Sequence, residues 1–155
     1  MPQMTKGGKF VFGISVIYQN GSVFIPPQAA AEYNITADKK IYIFTGSRKT
    51  GGFCVTRKGL LAPSKLGHIL TDNPHLRDYT CKQGEFIKYK GRSYCWTHIS
   101  DDGKIILTDK MMAFLNICPD MQLLSIRSSD IAFTMGAKGP LLEKARNYQG
   151  EIPVF

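Results

Sequence analysis

The stretch Gly21–Ser47, GSVFIPPQAAAEYNITADKKIYIFTGS, is written a second time at Gly103–Ser129, GKIILTDKMMAFLNICPDMQLLSIRSS. With one two-residue gap in the loop after Ser47 and Ser129, the match runs on to Leu61 and Leu141, and ten of 39 aligned pairs are identical. Gly21/Gly103, Asn34/Asn116, Asp38/Asp120, Phe53/Phe133, Lys58/Lys138 and Gly59/Gly139 are among them. Each copy is preceded by an alternating strand-like run, FVFGISVIYQNG in one and SYCWTHISDDG in the other. A fixed internal period signals a repeated structural unit. The chain therefore reads as a first repeat (residues 1–66), a linker or helical extension (67–84) that is polar and turn-rich, and a second repeat (85–155).

Local chemistry assigns the same elements to both copies. Phe10 to Tyr18 is rich in β-branched and aromatic residues, and Asn20-Gly21 is a dipeptide suited to a tight hairpin turn, as is Asp102-Gly103. Short strands follow at Val23 to Ile25 and at Lys104 to Leu107. Pro27 suits the first position of a helix over Gln28 to Glu32, and Thr108 or Asp109 can cap its counterpart over Lys110 to Leu115. Asn34 and Asn116 stand where a helix end needs a left-handed residue, which Asn tolerates. Further strands are expected at Lys40 to Thr45, Phe53 to Arg57, Gln122 to Arg127 and Ile131 to Met135. Gly139-Pro140 opens a last helix to about Tyr148, which Gly150 can end, and a hairpin is expected around Gly91. The aromatics Phe10, Phe12, Tyr18, Phe24, Phe44 and Phe53 alternate on strands, so they read as core, and Trp96, aligned with Ile14, does too.

This pattern of strand, turn glycine, aliphatic strand, proline, short helix and Asp-containing turn resembles the AbrB/MazE/SpoVT family of swapped-hairpin DNA-binding domains. The first copy matches at Gly21, Val23, Ile25, Pro26, Ile35, Asp38 and Ile41. The second matches at Gly103, Lys104, Ile105, Leu107, Ile117, Pro119, Asp120 and Leu123. A single copy of ~45 residues buries too little apolar surface to be stable alone, and family members interleave two copies into one barrel. The resemblance, including that to the duplicated regulators of the MraZ type, implies a mainly β fold with short helices (α+β): one swapped-hairpin β-barrel formed as an intrachain pseudo-dimer, with the Gly-led helices outside it. It also implies DNA-binding transcriptional regulation. The family's arginine positions fall on Ser15, Ser22, Ala30 and Ala31, and on Thr97, Lys104, Met112 and Ala113, of which only Lys104 is basic.

Twenty Lys and Arg against twelve Asp and Glu leave a net charge of +8, which suits an anionic partner. Residues 1–66 hold nine of the bases and two of the acids, so the surplus belongs to the first copy. Its densest spot is the loop Thr45 to Gly52 with Arg48 and Lys49, and Lys39, Lys40, Arg57 and Lys58 stand nearby in sequence. The aligned loop Ser128-Ser129-Asp130 is not basic, so the fold itself does not require this charge. The DNA-contact candidates are therefore Lys39, Lys40, Arg48, Lys49, Arg57, Lys58 and Lys104. The loop is no Walker motif, because Gly51 is followed by Gly52 and Phe53.

Composition excludes several classes. With 43% hydrophobic and 21% charged residues the chain is ordinary for a globular protein, and no apolar run approaches the ~20 residues of a membrane span. A soluble cytoplasmic protein without membrane contact is expected. Cys54, Cys81, Cys95 and Cys118 form no C-x-x-C pair, and His68, His75 and Cys81 are too loosely spaced for zinc, so reduced thiols, no metal and no cofactor are expected. Cys95 and His98, three apart on a strand, point to opposite faces and cannot pair as nucleophile and base within it. No paired carboxylates stand out, so no enzyme is expected. Two readings remain. One is a DNA-binding regulator of duplex DNA that gains contacts as a homo-oligomer. The other is a non-catalytic ligand- or protein-binding module on the same barrel, with the Ala- and Met-rich helices Gln28 to Tyr33 and Lys110 to Leu115 as apolar patches.

Overall fold

The two aligned stretches fold into matching elements, because the same cues stand at matching positions. The structure, a computed structural model, describes residues 10–147 and 152–155. The first copy gives β1 (Val11–Val16), β2 (Ser22–Phe24), α1 (Pro27–Tyr33), β3 (Lys40–Thr45), β4 (Phe53–Thr56) and α2 (Lys58–Leu61). Then come α3 (His68–Asp72), α4 (Pro74–Arg77) and β5 (Ile87–Tyr89). The second copy gives β6 (Arg92–His98), β7 (Lys104–Ile106), α5 (Asp109–Leu115), β8 (Gln122–Arg127), β9 (Phe133–Gly136) and α6 (Pro140–Arg146). The expected end of α6 at Tyr148 and its stop at Gly150 lie outside the described residues.

Both short helices end on the expected asparagines, Asn34 at φ 48° and Asn116 at φ 58°. Their starts differ. Thr108 caps α5, its hydroxyl accepting the Met111 N–H at 3.2 Å, whereas the aligned Pro26 offers α1 no side-chain cap. Thr108→Ala is expected to cost about 1 kcal/mol in urea unfolding; an unchanged midpoint would mean that burial of Met111 and Leu115 alone holds the helix.

The molecule is mainly β. Seven antiparallel strands run in the order β1-β8-β9-β4-β3-β6-β5, and β2 and β7 form a separate pair. By the repeat alignment β1 corresponds to β6, β3 to β8 and β4 to β9. Each half's first strand therefore pairs in the other half: β1 with β8, and β6 with β3. Two central pairs have registers that map onto themselves when the halves are exchanged. In β4·β9 Cys54 faces Thr134, flanked by Phe53↔Met135 and Val55↔Phe133; in β2·β7 Val23 faces Ile105.

This exchange corrects the hairpin expected at Asn20-Gly21. The tight turn is there, with the Gly21 N–H donating to the Tyr18 carbonyl at 2.9 Å, but β1 and β2 enter different sheets. The aligned β6 and β7 do the same, because β2 and β7 find each other instead. The hairpin at Gly91 does form, joining β5 to β6 through Lys90 and Gly91, both at positive φ.

The sheet buries both faces. On the inner face Phe12, Ile35, Phe53, Phe133 and Leu123 pack with Tyr33 of α1, Met111 and Leu115 of α5, and the β2·β7 pair. The outer face carries two smaller clusters. Tyr42, Tyr94 and Trp96 are covered by Leu61, Ile69, Leu70 and Leu76 from α2, α3 and α4, so residues 67–84 supply core side chains. Val11, Ile14, Leu124 and Ile126 are covered by Leu142 and Ala145 of α6. Of the aromatics expected in the core, Phe12 and Phe53 are fully buried, Phe10, Phe24 and Phe44 are half-buried, and Tyr18 is 43% exposed.

Candidate functional site

The basic residues singled out in the sequence go to four places. Lys40 and Lys58 flank Tyr79, their ammonium groups 5.1 and 4.3 Å from its ring centre, and Tyr79 stacks on Tyr42. Lys39 is exposed beside them, in a turn at φ 58°. Arg57 is tied down: its Nε donates to the Tyr33 carbonyl at 3.1 Å and its guanidinium pairs with Asp38 at 3.3 Å, with the side chain only 15% exposed. That arginine closes the carboxyl end of α1, a structural task. Lys104 is half-buried at the start of β7, its backbone N–H held by the Ser100 hydroxyl.

Arg48 and Lys49 alone of the set stand at the tip of the β3–β4 loop, exposed and, among the described residues, without an ion-pair partner. The loop is pinned to the corner between β9 and α6, where the Ala137 and Lys138 N–H groups both donate to the Thr50 carbonyl, at 2.8 and 2.9 Å. Gly52, at φ 60°, lets the loop lie directly on the Met135 carbonyl, where any side chain would collide. The contact brings Lys138 of the second half alongside Gly51. Arg92, at the start of β6, closes the other side with its guanidinium 5.5 Å from the Phe44 ring.

Lys49, Arg92 and Lys138 thus edge a cavity of about 740 Å³ on the outer face of the sheet. Its floor is the Cys54–Thr134 pair of β4 and β9, with the sulfur and hydroxyl 3.4 Å apart. The two outer clusters stop short of this pair, and Leu61, Ile69 and Tyr94 of one and Ile126 of the other become the walls. Hydroxyls of Ser47, Thr50, Ser128 and Ser129 also line it, and Ser128 bonds Thr134. Burial pushes the Cys54 thiol up, so at neutral pH it is a neutral floor group and a poor nucleophile. Cys95 is pushed up to about 12 by burial.

Arg92 and Lys138 were not singled out in the sequence. Lys138 stands among neutral neighbours and only its match with Lys58 set it apart, while Arg92 follows Lys88 and Lys90 in a stretch read only as a hairpin. The positions matching the family's arginines are mostly closed. Ser15, Ser22, Thr97 and Met112 are buried, Ala30 and Lys104 are half-buried, and Ala31 and Ala113 are exposed. The Ser15 hydroxyl is spent on the Phe24 carbonyl at 2.6 Å. Among the described residues no cluster of His, Cys, Asp and Glu is placed to hold a metal, and no helix is long and apolar enough to cross a membrane. The chain matches no family model, no curated protein and no solved structure.

Proposed function

We propose that the chain is a non-catalytic DNA-binding regulator of the cytoplasm, built as one swapped-hairpin barrel in which its own two halves act as the two protomers. The exchange of β1 and β6 between halves, with self-mapping registers at Cys54/Thr134 and Val23/Ile105, supports this form of the fold. The observation that carries the function is the basic corner. The loop that carries Arg48 and Lys49 lies against the turn of the other half that carries Lys138, and all three are exposed and, among the described residues, without an ion-pair partner. Cations of that kind release counterions when they meet phosphates. DNA is then held through its backbone by this corner, in place of the closed arginine positions. Assembly of several chains presents several corners to one duplex and multiplies a weak contact.

Titration of the full chain with mixed-sequence duplex at several salt concentrations tests this reading. Affinity is expected to fall with a log–log slope of about −0.9 per phosphate neutralised, and Arg48→Glu with Lys49→Glu to weaken binding at least about tenfold at low salt. No binding at low salt, or binding indifferent to the double change, overturns it.

A further inference from the structure

The cavity over β4 and β9 breaks the correspondence between the halves. The aligned loops differ by two residues, Thr45 to Gly52 being longer than its counterpart around Ser128 to Asp130. That insertion carries Arg48 and Lys49 and gives the first loop the length to close one side of the cavity with Lys49. An asymmetric loop on a repeated scaffold is therefore what completes the enclosure.

The lining has a definite chemistry. Three cations, Lys49, Arg92 and Lys138, stand around it, and no Asp or Glu is among the residues lining it. Among the described residues none of the three makes an ion pair. A cavity lined by cations and no carboxylate favours an anionic ligand over a neutral or cationic one. The lining also includes the apolar Leu61, Ile69, Ile126 and Ile131 and the hydroxyls of Ser47, Thr50, Ser128 and Ser129. A volume of about 740 Å³ is within the ~300–1,000 Å³ typical of sites for small organic molecules. A charged head and an apolar body match this mixture of cations and apolar side chains.

We propose that this cavity is a binding site for a small organic anion, a carboxylate or phosphate monoester whose head meets Lys49, Arg92 and Lys138 and whose aliphatic or aromatic body lies over Cys54 and Thr134. Both halves supply its walls. The site goes beyond DNA binding and is read on the free chain, so failure of one reading leaves the other intact.

Octanoate and phenyl phosphate distinguish the two kinds of head, with octanamide, phenol and inorganic phosphate as the matched controls. Calorimetric titration of the full chain is expected to show one of the two organic anions binding at least about tenfold tighter than its neutral counterpart and than inorganic phosphate. Isoleucine methyl resonances of Ile69, Ile126 and Ile131 should move on binding, while those of Ile35 and Ile105 in the inner core stay. Lys49→Glu and Lys138→Glu, both at exposed positions, should each weaken binding about tenfold with the thermal midpoint kept. The proposal is overturned if neither organic anion binds below about 1 mM. It is equally overturned if the neutral compound or inorganic phosphate binds as well, or if the charge reversals leave affinity unchanged.

Discussion

Phe133→Ala is expected to lower the unfolding free energy by about 3–5 kcal/mol, near the top of the range for a single core truncation. Phe133 is fully buried in the middle of the sheet, its ring 5.1 Å from that of Tyr33 and 6.4 Å, edge-on, from that of Phe12. Those partners come from α1 and β1, so the ring joins the second half to the first. Little can move in to refill the space, because β9 is held between β8 and β4. Tyr33 is anchored as well, its hydroxyl donating to the Ser129 carbonyl at 2.7 Å and its carbonyl held by Arg57. Urea unfolding followed by tyrosine and tryptophan fluorescence measures the loss, and a value under about 1.5 kcal/mol would show that the core collapses around the gap.

The second large effect separates two glycines that the repeat makes equivalent. Gly21 and Gly103 sit at φ 83° and 82°, so either loses stability when replaced by alanine, by about 1–2 kcal/mol from the backbone alone. Their surroundings differ. A Cβ on Gly21 would run into the Leu107 carbonyl oxygen, and Leu107 cannot retreat, being buried and donating its N–H to the Gly21 carbonyl at 2.8 Å. A Cβ on Gly103 finds its nearest neighbour, the Ile25 carbonyl oxygen, at an ordinary 3.5 Å. Gly21→Ala is therefore expected to cost about 3 kcal/mol or more, and Gly103→Ala only the backbone amount. Equal losses, measured side by side by thermal and urea unfolding, would refute the steric account.

Much of this was legible where the determinants are local. Asn34 and Asn116 ended the short helices, Thr108 capped one of them, and β3 and β8 have the bounds expected of them. Pairing was not local. The turn at Asn20-Gly21 says that the chain reverses, but nothing in it says that Ser22–Phe24 prefers Lys104–Ile106 to the strand just left behind. The stretch 67–84 looked polar because Pro74 splits its apolar residues, leaving Ile69 and Leu70 on one short helix and Leu76 on the next. The candidate site was half visible. Arg48 and Lys49 form a dense basic spot in sequence, whereas Arg92 and Lys138 join them only through the sheet. Arg57 is the converse case: its charge counts toward +8, and in the fold it pairs with Asp38 and donates to the Tyr33 carbonyl.

The strand order also bears on how the protein is made. Val11 of β1 has Ile126 of β8 as its partner, so the first strand leaves the ribosome long before the second exists. At about 5–20 residues per second that interval is on the order of ten seconds. Throughout it the nascent chain holds Phe12 and Ile14 with no sheet to enter, and Tyr42 and Ile43 on a β3 whose other neighbour, β6, is itself late. β1 can enter the sheet only once β8 has emerged, and β9 then joins β8 to β4.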